Sequence, residues 1–360
     1  MPATHHIICV HGIGTHSKTW AESDKGGDEP QTFKELFDEK WGKYPKVKAA
    51  FTVKLHSICY DEEIEKIFQF WADYAQGLKD SLVSSPLLKA EAGWFTDAVD
   101  KATAAKGSAD WRYTHLMDLL MFAASPTLQN RLVNYAGAQV IKIIQDHAAN
   151  DEISLIGHSM GCAMAHKVIQ ALYNEGVEVK PGKFETIKGD FRFSNVTMVA
   201  NTSFALSRDR EGFYKGKLVR PSSRPDEGCC SSWINANHRL DPVARFMPFE
   251  YREEPGWLDP VVAAAGDHQD IRLTRLSSKS LHSLTHYYRD PSFHLPYLEL
   301  LSGETLTKKQ RDDAFDEFEK LTPEGKFKGI VSHLETLDVS DTDSFKALFE
   351  ALKSFHALIK

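Results

Sequence analysis

The segment Gly157-His158-Ser159-Met160-Gly161 constrains this chain more than any other. It reads G-x-S-x-G. Glu152-Ile153-Ser154-Leu155-Ile156 runs into it as a short apolar, β-branched strand, and Cys162 to Leu172 behind it has a helical pattern. A serine on so sharp a strand-to-helix turn is pushed out of the sheet, its oxygen exposed above a helix N-terminus. Glycines on both sides let strand and helix approach closely.

Around this turn the chain alternates. Strands are expected at Ile7–Val10, Phe51–Ile58, Val196–Ala200, Trp233–Ala236 and Ile271–Leu276, and helices at Gln31–Trp41 and Leu128–His147. Buried strands separated by helices predict an α/β fold, a mostly parallel sheet of about six strands covered by helices. Residues 61–125 hold no strand pattern and are rich in aromatics such as Trp71, Trp94 and Trp111, which reads as a helical cap or lid inserted into the domain 1–302. Residues 303–360 read as a helical extension packed on the core. Phe345, Leu348, Phe349, Leu352, Phe355 and Ile359 form one apolar stripe there, through which a homo-oligomer could form. Residues 207–232 read as an irregular loop.

Composition removes several classes of function. A net charge of −7 argues against nucleic acid, and no run of about 20 apolar residues predicts a membrane span. The N-terminus shows no secretory pattern. Five cysteines, two of them adjacent, suit reduced thiols in the cytoplasm better than a disulfide framework. Neither C-x-x-C nor H-E-x-x-H occurs, so neither a metal nor a cofactor is expected.

Ser159 needs a base, the base needs an orienting carboxylate, and the oxyanion of a tetrahedral intermediate needs donors. Each has a candidate. Val10-His11-Gly12-Ile13-Gly14 follows the first strand and offers the Ile13 N–H as one oxyanion donor; the Met160 N–H, after the serine, is the other. Asp241 lies just past the strand at Trp233–Ala236, on the rim that carries the serine turn. Asp209, Asp226 and Asp267 are weaker candidates. Two histidines after the last strand compete as base: His282, which comes first in the loop, is preferred to His286, one turn further along. His11 and His158 read as structural, and His268 and His294 as outsiders.

The order Ser159, Asp241, His282, with His11-Gly12 upstream and Gly157 and Gly161 around the serine, resembles the α/β-hydrolase superfamily, and within it the lipase and serine-esterase branch. The resemblance covers roughly residues 5–300. It implies a serine carboxylic-ester hydrolase acting through an acyl-enzyme on a small-molecule or lipid ester. A lipase or phospholipase, an acyltransferase, or a catalytically silent binding protein are the alternatives. The chain opens on what would be the family's third strand, and residues 303–360 have no counterpart in the core pattern.

Overall fold

The computed structural model describes residues 4–319, except 13, 15, 26–29, 68, 71–72, 74–121, 124, 150, 188–190, 208–212, 215–217, 242–243, 245–247, 255 and 277–280. Most of the expected cap and all of the apolar stripe expected at 345–359 therefore lie outside the described residues.

Six strands form one sheet: β1 (Thr4–Val10), β2 (Thr52–Ile58), β3 (Glu152–His158), β6 (Phe193–Val199), β7 (Cys230–His238) and β8 (His268–Leu273). Their order is β2-β1-β3-β6-β7-β8, and every pair is parallel. Alternate residues supply opposite faces. Ile8 and Val10 of β1 join Leu155, Val196 and Trp233 beneath the helices Pro126–His147 and Met160–Asn174. Ile7 and Cys9 join Ile156, Ile234 and Leu273 beneath the helices Phe33–Gly42, Leu284–Arg289 and Pro291–Ser302. Each fully buried aliphatic side chain contributes about 1.5–3 kcal/mol, so the two clusters hold the helical layers to the sheet.

Local signals explain the helix starts. Ser125 caps the helix Pro126–His147 by accepting from the Leu128 N–H, and Pro126 occupies its first turn. Thr32 and Glu35 form a reciprocal capping box before Phe33. No described helix is long and apolar enough to cross a membrane.

The structure differs from the sequence expectation in detail. β7 runs from Cys230 to His238, longer at both ends than expected. β8 spans His268–Leu273 rather than 271–276, because its polar start, His268-Gln269-Asp270, hides the pairing with β7. The hairpin β4–β5 (Val177–Lys180 and Lys183–Glu185) and the short helices Trp20–Ser23 and Pro45–Ala50 have no counterpart in the sequence reading. They are too short for periodicity to show.

The chain leaves β1 toward β2 on one side and returns to β3 on the other. The strand order thus switches direction between β1 and β3. In open parallel sheets, ligands bind outside the carboxyl ends of the strands at such a switch. His11-Gly12 and Ser159 follow those two strands.

Candidate active site

Ser159 stands alone between β3 and the helix Met160–Asn174, with φ 55° and ψ −125°. Only one other described non-glycine residue has positive φ: Ala200 (51°), at the end of the adjacent β6. Such backbone costs of order 1–3 kcal/mol and persists only where neighbours fix it. Those neighbours are visible. The Ser159 N–H donates to Val199 O at 2.9 Å, and the Ser159 carbonyl accepts from the Cys162 N–H at 2.9 Å and the Thr202 hydroxyl at 2.7 Å. Gly161 is required and Gly157 is tightly packed. A Cβ on Gly161 would lie 2.3 Å from the carbonyl oxygens of Val10 and His11, and one on Gly157 would lie 3.0 Å from Gly161 O.

His282 sits between the serine and Asp241. Its Nε2 is 2.7 Å from Ser159 Oγ and its Nδ1 is 2.6 Å from Asp241 Oδ2. Asp241 is fully buried, three residues past β7, and its Oδ2 also accepts the Tyr287 hydroxyl at 2.8 Å. Burial pushes the Asp241 carboxyl up, but the His282 charge and the hydrogen bonds from His282 and Tyr287 outweigh it and hold the group at about 2. An ionised Asp241 only accepts, so the His282 proton is on Nδ1 and the Nε2 lone pair faces the serine hydroxyl.

His286 is placed elsewhere. It is buried in the helix Leu284–Arg289, edge-on to His238 at 5.3 Å. Burial lowers it to about 3, with His238 and Arg289 adding to the effect. His268 packs edge-on against Tyr251, and His294 is buried with Nδ1 3.0 Å from Tyr288 O. Asp209 lies outside the described residues. Asp226 is exposed, and Asp267 closes the turn before β8.

The turn after β1 lies against the serine: a Cβ on Gly12 would be 2.8 Å from Ser159 Cβ. His11 anchors that turn. Its ring stacks on Tyr60 at 4.0 Å, its Nδ1–H donates to Gly12 O at 2.7 Å, and its carbonyl accepts the Tyr60 hydroxyl at 2.6 Å. Ile13 lies outside the described residues. Met160 is the first residue of the helix behind the serine, where amide N–H groups have no partner within the helix.

Two supporting residues escape a sequence reading, and His158, read as structural, has a defined partner. Thr202 clamps the serine turn, Tyr287 bridges the Asp241 carboxylate and the His238 N–H, and His158 donates from Nε2 to the His282 carbonyl at 2.6 Å. Each acts on a residue more than 40 positions away in sequence, so no local motif marks the contact.

No family model matches the chain, and no match was found among curated proteins or solved structures.

Proposed function

We propose that this chain is a serine hydrolase of the α/β-hydrolase type that cleaves carboxylic esters through an acyl-enzyme. The observation that carries the reading is the continuous chain Ser159 Oγ–His282–Asp241, with contacts of 2.7 and 2.6 Å, built on a strained serine turn. The strain and the burial of Asp241 cost stability, and a packing arrangement alone has no use for them.

In the proposed reaction Ser159 Oγ attacks the ester carbonyl as His282 Nε2 takes its proton. Asp241 holds the imidazole in the Nδ1–H tautomer and stabilises the imidazolium. The amides of Met160 and Ile13 are the proposed donors to the oxyanion. His282 returns the proton to the leaving alcohol. It then deprotonates a water that attacks the acyl-enzyme carbonyl, and the acid leaves with Ser159 restored. The residues of this scheme need no metal or cofactor.

The test is hydrolysis of p-nitrophenyl esters from acetyl to palmitoyl. Turnover of the shorter esters that Ser159→Ala abolishes supports the reading. Much faster cleavage of long chains, with activation at an interface, would move it to a lipase. No turnover of any ester would leave the binding-protein alternative.

A further inference from the structure

We propose that His6, His56 and His147 form a binding site for a borderline transition-metal ion such as Zn²⁺, at the end of the sheet opposite Ser159. One ring nitrogen from each residue lies within 4.8 Å of those of the other two. Their sequence separations, 50 and 91 residues, explain why no ligand-spacing motif revealed them. β1 and β2 are parallel neighbours with His6 opposite Lys54, so His6 and His56 share one face of the sheet. His147 ends the helix that covers that face. His6 is buried, while His56 and His147 are half-buried and open the cluster to solvent. Along β1 the site stands five residues from His11, about 16 Å from the serine turn.

The hydrogen bonds suit a metal. His6 Nε2 is 3.3 Å from Asp151 Oδ2, whose other oxygen accepts the Thr4 N–H at 3.0 Å. A proton on Nε2 directed at Asp151 leaves the His6 Nδ1 lone pair facing His56 Nε2, 2.7 Å away. A carboxylate behind a histidine is the usual support of a metal-bound imidazole, fixing its tautomer and raising its basicity. In the metal-free arrangement the proton between His6 Nδ1 and His56 Nε2 belongs to the neutral His56 ring. An ion takes its place, and that proton moves to His56 Nδ1, where it leaves the Nε2 lone pair to the ion. Zn–N bonds of about 2.0–2.1 Å set neighbouring ligand nitrogens about 3.3 Å apart, so the His6–His56 pair opens by about 0.6 Å. His147 stacks on His6 at 3.9 Å and turns out of that stack to bind. Three imidazoles select Zn²⁺, Ni²⁺ or Cu²⁺ over Mg²⁺ and Ca²⁺, which prefer oxygen. Three protein nitrogens leave a fourth position for water. Exposed Lys54 opposes the added charge and Asp151 offsets it.

The experiment is calorimetric titration of the full chain with zinc alone, repeated with cobalt to read the visible bands of a four-coordinate nitrogen site. The expected result is one ion per chain at micromolar affinity or tighter. His56→Ala and His147→Ala, at half-buried positions, should each weaken it at least about 100-fold, and Asp151→Asn about 10–100-fold. Circular dichroism confirms that each variant is folded. Ester hydrolysis in the presence of a chelator should be unchanged. No binding tighter than about 1 mM, or binding that survives either histidine replacement, overturns the three-ligand site.

Discussion

The imidazole of His158 donates from Nε2 to the main-chain carbonyl of His282 at 2.6 Å. The residue just before the serine thus holds the loop that carries the proposed base, His282. Burial, with the nearby His282 charge, lowers His158 to about 3, so its ring is neutral at neutral pH and keeps the Nε2 proton that this bond requires. His158→Ala should leave the fold intact and lower kcat by about 10²-fold with little change in KM, the expected effect of a base displaced by about an ångström. His158→Gln, which retains a donor, should recover part of the rate. Equal stability and unchanged kcat in His158→Ala would remove this positioning role.

Tyr287 links two elements at one oxygen. Its hydroxyl donates to Asp241 Oδ2 and accepts the His238 N–H at 3.0 Å. Tyr287→Phe removes a charge-assisted bond and orphans a buried amide. The expected cost is about 1–3 kcal/mol of stability and about a tenfold fall in kcat, measured by urea unfolding and ester turnover.

Gly12 and Gly161 should fail differently as alanines. The Cβ of Gly161→Ala meets two backbone oxygens that cannot move without breaking β1, so the protein should lose 3 kcal/mol or more, or fail to fold. The Cβ of Gly12→Ala meets the Ser159 side chain first. That variant should fold, by circular dichroism, and lose more than about 10²-fold in kcat.

Acid should unfold the chain early. Burial lowers His158, His286 and His294 to about 3 and His5 to about 4. Between those values and about 6.5 each binds a proton only in the unfolded chain, so stability falls as pH drops through that window. Asp241 continues the trend from its ordinary 3.8 down to about 2. Thermal scans from pH 7 to pH 4 should show a steep fall in Tm, with more than one proton taken up on unfolding. A flat Tm down to pH 4.5 would contradict this assignment.

The sheet was legible because its strands are short apolar runs between helices, and β1, β3 and β6 sit where those runs do. β8 was shifted because an edge strand with one polar half lacks that signal. At the site, Ser159 and Gly161 were legible from local spacing, and Asp241 and His282 from their places after strands. Tyr287, Thr202, the partner of His158 and the His6–His56–His147 cluster were not, because each depends on a contact between segments that only the fold brings together.

The account rests on His282, and not His286, activating Ser159. Labelling with a fluorophosphonate, with the adduct mapped by mass spectrometry, tests this most directly. The wild-type chain should carry the adduct on Ser159, His282→Ala should label at least about 10²-fold more slowly, and His286→Ala should keep a rate near wild type if it folds. No adduct on Ser159, or a His282→Ala chain that labels as fast as wild type, would contradict it.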